Sequence, residues 1–208
     1  MRFIDRQDAA LQLIPLLANY ANEACVVLAV PRGGVPIGHT IARQYNFPME
    51  VLLTKKIGHP ASKELAIGAV SLEDEVIDLR HHIPESYIGN EIKKIRTSLL
   101  ARYKKFMGDR KPLDLQNKTV IIVDDGIATG NTIVAAIKLI RAKGPKKIVI
   151  AVPVAPLRTA RKLETEVDDF ICLHATDDFY GVGQFYADFS QVSDEEVIAL
   201  MEDLPQRA

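Results

Sequence analysis

Val120-Ile121-Ile122-Val123 is a run of four β-branched apolar residues that stops at two adjacent carboxylates, Asp124 and Asp125. A run of this kind reads as a strand of a parallel sheet buried on both faces. A short loop follows with Gly126, Thr129, Gly130 and Thr132, and then Ile133, Ile137 and Ile140 recur at helical spacing. Strand, acid pair, small-residue loop and helix N-terminus together make a phosphate cradle with carboxylates beside it. Backbone N–H groups and hydroxyls of the loop hold an anion against the helix dipole. The cradle stands at the carboxyl end of a strand, where α/β folds bind ligands. The loop lacks the lysine of a Walker P-loop, and the absence of G-x-G-x-x-G argues against a dinucleotide site. The plain alternative is an ordinary strand-to-helix turn with an acidic cap.

The same alternation runs through the rest of the chain. A helix is expected over about 6–22, with Pro15 as its weak point, followed by a buried strand at 25–30. Pro31-Arg32-Gly33-Gly34 breaks that strand, and a helix begins near Pro36. Residues 49–54 form a second apolar run; a polar connection to about 65 and a short strand pair near 66–70 and 75–79 come next. Ile88, Ile92, Ile95, Leu99, Tyr103 and Phe106 then mark a long amphipathic helix from Pro84 to about 107. The motif strand (119–123), its helix (130–143), a strand at 147–152, a helix at 156–165 and a strand at 168–173 complete the pattern. A last helix is expected at 194–203, with Ser193 as N-cap and Glu196 three residues on. The predicted fold is α/β: a parallel β-sheet core flanked by helices on both faces, with a small hood or flap. With 208 residues and no internal change of composition, residues 1–208 are expected to form one domain. It would carry a mobile loop at about 55–65 and an aromatic tail or hood at about 177–190.

Charge excludes some partners. A net charge of −1 gives no general attraction to nucleic acid or an acidic membrane, so an anion site must be local. No signal-peptide pattern opens the sequence and no apolar run is long enough to span a membrane. Cys25 and Cys172 both sit in apolar runs and read as buried thiols, which implies a cytoplasmic location. His81-His82 lack partners at metal-ligand spacing and read as surface residues. Lys93, Lys94, Arg96, Arg102, Lys104, Lys105, Arg110 and Lys111 run along and just beyond one helix, as a solvated face or subunit contact rather than an RNA site.

Three further segments bear on a site. In Pro31-Arg32-Gly33-Gly34 the glycines permit close backbone approach and Arg32 supplies a cation; alone, the segment is equally a tight turn. Lys55-Lys56-Ile57-Gly58-His59-Pro60 suits a lid that closes over a polyanion, or else a solvated basic loop. Residues 179–189 hold five of the thirteen aromatics, among them Phe179, Tyr180, Phe185 and Tyr186. That density makes either a stacking wall for a planar base or a plug over a sheet edge.

Taken together, the motif 120–132 resembles the phosphoribosyl-diphosphate (PRPP) motif of type I phosphoribosyltransferases, and the likeness extends over most of the chain to a small bacterial branch of that family. The resemblance implies that Asp124 and Asp125 hold the ribose 2- and 3-hydroxyls, and that Ala128, Thr129, Gly130, Asn131 and Thr132 hold the 5-phosphate. It assigns Arg32, Gly33 and Gly34 to pyrophosphate, in a loop where a basic residue precedes glycine and the peptide between them is often cis. Lys55 and Lys56 would neutralise the departing pyrophosphate, with Glu64 helping to close the loop; the match to the family's Gly-basic-x-Pro sequence is partial. Mg²⁺ would be held by PRPP oxygens and water, with Asp124 and Asp125 acting on it indirectly. Phe179, Tyr180, Phe185 and Tyr186 would meet the acceptor. Ala128 replaces the aspartate that serves the base in hypoxanthine/guanine-type members, and Gly126 replaces a larger residue, leaving more room or mobility. The implied activity is Mg²⁺-dependent transfer of ribose 5-phosphate from PRPP to a nucleobase or similar nitrogen heterocycle. The alternative is a PRPP- or nucleotide-sensing regulator of the same fold without turnover. A homodimer is a family-level expectation.

Overall fold

The computed structural model describes residues 2–78 and 83–205; His81 and His82 fall outside them. In chain order, the first half contains α1 (Arg6–Leu13), β1 (Cys25–Ala29), α2 (Gly34–Tyr45), β2 (Met49–Val51), β3 (Lys55–His59), β4 (Ser62–Val70), β5 (Glu75–Ile77) and α3 (Glu85–Met107). The second half contains β6 (Thr119–Val123), α4 (Asn131–Ala142), β7 (Lys147–Pro156), α5 (Leu157–Glu164), β8 (Asp169–Thr176) and α6 (Asp194–Glu202). The expected α/β alternation is therefore observed. The helix expected over 6–22 is α-helical only to Leu13; it tightens into a 3-10 helix over Ile14–Tyr20 at Pro15, which has no N–H to continue the ladder.

A five-stranded parallel sheet of order β2-β1-β6-β7-β8 forms the centre. Both faces are covered, which is why its middle strands are unbroken apolar runs. Val27, Ala29, Ile121 and Val123 point into one core, shared with Ile37 and Ile41 of α2 and Leu99 of α3. Val26, Leu28, Val120 and Ile122 point into the other, shared with Ile133 and Ile137 of α4 and Leu163 of α5. The chain runs from β1 outward to β2, returns, and continues from β6 to β7 and β8. The strand order thus reverses between β1 and β6, the kind of switch point at which open α/β sheets bind ligands. Among the described residues no helix is long and apolar enough to cross a membrane.

The connection expected as a polar loop is instead part of a second, antiparallel sheet, β3-β4-β5. Ile57 and Ile67 are fully buried beneath it, and that burial draws the segment into a hairpin despite its lysines and proline. Neighbouring backbone comes close at Gly58 and Gly68. A Cβ at Gly58 would lie 2.7 Å from the Lys63 carbonyl oxygen, and one at Gly68 2.5 Å from that of Val76. Cys25 and Cys172 are free thiols, and burial pushes both up to about 11.

Glu50 is the exception to the apolar sheet. It is 7% exposed, at the sheet's edge strand, and its carboxylate accepts the Leu113 N–H at 2.6 Å. Burial pushes its pKa from 4.5 up to about 7. Between those values the folded state holds a proton that the unfolded chain has released, so stability falls as pH climbs through about 7. Substituting Glu50→Gln should remove this dependence. Its melting temperature relative to the native chain should be higher at pH 8.5 than at pH 5.5, with the full effect at most about 3 kcal/mol. An offset that is the same at both pH values would mean that Glu50 is not the titrating group.

Candidate active site

Ala29 and Val123 are partners in the register of β1 and β6, so the segments after them emerge side by side. The first turn of α2 comes so close to β6 that a Cβ on Gly34 would stand 2.6 Å from the Val123 carbonyl oxygen and 2.9 Å from Asp124 Cα. Gly33 has φ −61°, which any residue adopts, so space rather than torsion requires glycine there. A Cβ at Gly33 would lie 2.0 Å from Asp125 Oδ2. A cis peptide is present in this loop between Pro31 and Arg32, one bond earlier than the resemblance implied.

The acids are packed unequally. The Asp125 N–H donates to Asp124 Oδ1 at 2.9 Å. Burial, and then the neighbouring Asp125, raise Asp124 well above the usual carboxylate range. Burial also raises Asp125, but Arg6 opposes the shift. Arg6 Nε and Nη2 each lie 2.9 Å from Asp125 Oδ2, and the two side chains are only 12% and 13% exposed. Arg6 Nη1 donates to the Ser190 carbonyl at 2.8 Å, and its guanidinium lies 4.1 Å from the Phe189 ring centre. The Tyr186 hydroxyl donates to the Asp125 carbonyl at 2.7 Å. Arg6 carries no local motif, and nothing near it in sequence announces its partner 119 residues away.

Beyond the acids, Gly130 takes φ +71° as the residue preceding α4, a left-handed torsion suited to glycine. No side chain caps α4, so its first N–H groups are left without a side-chain acceptor. Ala128, Thr129, Asn131 and Thr132 surround this end, and all four are exposed. The loop is tied down from behind: Thr159 Oγ1 donates to the Ala128 carbonyl at 2.8 Å, and the Ile127 N–H to the Val154 carbonyl at 3.0 Å.

A cleft of about 300 Å³ opens beside Thr132. Its walls include Val30 and Pro31 after β1, Thr54 and Lys55 beyond the end of β2, and Ser98 and Arg102 of α3. The structure therefore brings Pro31, Lys55 and Thr132, drawn from three separate sequence segments, around one space. Lys56 follows Lys55 in a strand and projects to the opposite face. Arg32 turns instead toward α6, with Nη1 3.4 Å from Asp194 Oδ1, while Lys105 Nζ lies 2.7 Å from the other oxygen. Glu64 stands in β4, but its side chain is outside the described set.

The aromatic tail divides. Phe185 and Tyr186 are buried (4% and 3% exposed), packing with Phe3 and Val154. Phe179 packs against Phe185, and Tyr180 is 91% exposed. The extra room expected at Gly126 is absent, because Val182 of the tail and Val154 of β7 occupy it. A Cβ there would lie 2.6 and 2.7 Å from their methyl groups.

The sequence profile of the phosphoribosyl transferase domain matches residues 5–190. A provisionally assigned phosphoribosyl transferase of Mycobacterium tuberculosis is 38% identical over 206 residues, covering 96% of this chain. The chain spans 46% of that relative's length. The solved structure of TT1426 from Thermus thermophilus is 35% identical, covers 99% of this chain and 100% of its own, and superposes with a TM-score of 0.91. A protein of Neisseria gonorrhoeae solved with bound ppGpp shares the fold at 14% identity, with 97% of each chain covered and a TM-score of 0.52.

Contact between Gly33 and Asp125 yields a direct test. Gly33→Ala should be destabilised by about 1–3 kcal/mol in denaturant unfolding, because its methyl group forces the carboxylate off Arg6. Gly89→Ala, inside α3 with nothing within 4 Å of the added carbon, should instead gain roughly 0.5–1 kcal/mol. Equal effects at the two glycines would contradict the packing described here.

Proposed function

The chain belongs to the phosphoribosyl transferase domain family, and from that premise we propose that it is a Mg²⁺-dependent phosphoribosyltransferase. It transfers ribose 5-phosphate from PRPP to a nucleobase or similar nitrogen heterocycle, releasing pyrophosphate. One observation carries this reading: the acid pair after β6 and the glycine loop after β1 meet at the switch point, with Lys55 and the uncapped end of α4 bordering the adjoining cleft.

In this reading Asp124 and Asp125 accept the ribose 2- and 3-hydroxyls. The N–H groups and hydroxyls of Ala128, Thr129, Gly130, Asn131 and Thr132 surround the 5-phosphate. Arg32, Gly33 and Gly34 bound the pyrophosphate side, the glycines by letting backbone approach the anion. Lys55 faces that anion across the cleft, and Lys56 reaches it only through closure of the β3–β4 hairpin. The protein's work is to hold both ends of the donor, neutralise the leaving group and exclude water while the ribose passes through a cationic state. Asp124 and Asp125 stand where they would stabilise that developing charge.

The donor set fits an ion that arrives with the substrate. Among the described residues no cluster of three or more His, Cys, Asp or Glu side chains could hold a metal. Asp124 and Asp125 would therefore act on Mg²⁺ through PRPP oxygens and water, and the ion supplies charge neutralisation on the diphosphate when bound. Phe179 and Tyr180 offer the acceptor a stacking surface, with Phe185 and Tyr186 packed behind them. Ala128 leaves no carboxylate for the base at that position. A cytoplasmic role in nucleotide metabolism accords with this chemistry.

A sensor without turnover is the second reading, favoured by the nucleotide ppGpp held by the Neisseria gonorrhoeae protein. PRPP- and Mg²⁺-dependent pyrophosphate release, assayed across a panel of bases, separates the two. Release with at least one base is expected; tight PRPP binding with no release for any of them selects the sensor. Asp125→Asn should weaken PRPP binding or turnover by at least about tenfold, near 1.4 kcal/mol. Unchanged behaviour in that variant would place the site elsewhere.

A further inference from the structure

The basic residues of α3 and its continuation do not form one solvated stripe. Arg96 pairs with Glu75, Lys104 lies 3.8 Å from Asp109, and Lys105 lies 2.7 Å from Asp194. Arg110 donates to the Met201 carbonyl at 2.8 Å. Of the eight, Arg102 is the one that lines the cleft with Pro31, Lys55 and Thr132, and it has no carboxylate partner among the described residues. Helical geometry sets this placement. Leu99, Tyr103 and Phe106 are buried and fix the rotation of α3, while Ser98 and Arg102, four residues apart, share the face turned to the cleft. The Arg102 guanidinium lies 5.3 Å from the Phe106 ring centre, a contact that restrains a long side chain and leaves its N–H edges for an anion.

Charge balance makes this residue matter. Arg32, the cation of the loop after β1, shares Asp194 with Lys105 and is partly neutralised there. Lys55 is then the other cation lining the cleft. A lone ammonium is a weak match for a diphosphate, whereas a planar guanidinium bonds two phosphate oxygens at once.

We propose that Arg102, projecting from α3 into the cleft that Thr132 also lines, is a pyrophosphate-binding residue that holds the diphosphate end of the donor together with Lys55. This rests on the phosphoribosyl-transfer reading for the identity of the donor, and on the cleft alone for the anion. It gives α3 a role in ligand binding besides packing on the sheet.

Binding of inorganic pyrophosphate with Mg²⁺ tests it, measured by calorimetry on the full chain, with ribose 5-phosphate as a second probe. Arg102→Gln should weaken pyrophosphate about tenfold, and Arg102→Lys by less, since the charge stays while the fork is lost. Lys104→Gln, on the same helix but outside the cleft, should bind like the native chain. Ribose 5-phosphate should bind all four proteins alike. The assignment is overturned if the native chain binds no pyrophosphate, if Arg102→Gln binds it within about twofold of the native chain, or if that variant loses ribose 5-phosphate equally. Failure of the broader reading is distinct: pyrophosphate binding would depend on Arg102, yet PRPP would neither bind nor turn over. PRPP turnover indifferent to Arg102 would overturn the assignment and leave the broader reading standing.

Discussion

Two adjacent, half-buried carboxylates repel each other and lose hydration, and Arg6 stands against one of them. Both contacts to Asp125 Oδ2 are 2.9 Å and little exposed, so removing the guanidinium would raise the proton affinity of this carboxyl further and destabilise its charged form. The clamp is also a knot in the topology. Phe3 pairs with Tyr186, Ala187 and Asp188 donate back to Phe3 and Ile4, and Arg6 grips both Asp125 and Ser190. The start of the chain, the loop after β6 and the tail beyond β8 thus converge on one carboxylate. Tyr186 finishes the arrangement by donating to the Asp125 carbonyl, while burial and the neighbouring acid raise its own proton affinity.

This constraint polarises the crevice. The acid end is tightly packed, pressed by Gly33 on one side and Arg6 on another. The cationic end is built from an exposed strand and an exposed helix face, Lys55 and Arg102, with no ion pairs to hold either among the described residues. A ligand with a neutral hydroxylated centre and polyanionic ends suits such a gradient. In the proposed reaction the acids would accept hydrogen bonds from the ribose hydroxyls, and the cations would meet the charge that leaves.

Period and composition made the sheet legible. Val120–Val123 and Cys25–Ala29 are unbroken because both faces are covered, and the acid pair could only fall at their carboxyl end. The local motif likewise located the uncapped start of α4. Contacts made across long stretches of chain were not legible. Arg6 reads as an ordinary residue near a helix start, and Arg102 as one cation among eight, because helical spacing identifies a face without saying what it meets. The β3–β4 hairpin was hidden for another reason. Its glycine and proline are turn formers and its lysines favour solvent, and only the burial of Ile57 and Ile67 against the rest of the fold outweighs them.

The tail shows how a substitution can be misread when its neighbour is far away in sequence. Gly126 in isolation suggests a wider site, yet Val182 and Val154 fill the space that its missing side chain leaves. The glycine therefore admits the tail to the motif loop rather than admitting ligand. Gln184 fastens the same tail, accepting from the Tyr180 and Gly181 N–H groups at 2.7 and 3.2 Å and donating to the Asp178 carbonyl at 2.9 Å. A segment held this firmly, with Tyr180 left exposed at its turn, can present an aromatic face in a fixed direction. With alanine at position 128, the proposed reaction has no carboxylate at that position to select the acceptor, and the reading proposed above leaves that selection to the shape and stacking of this tail.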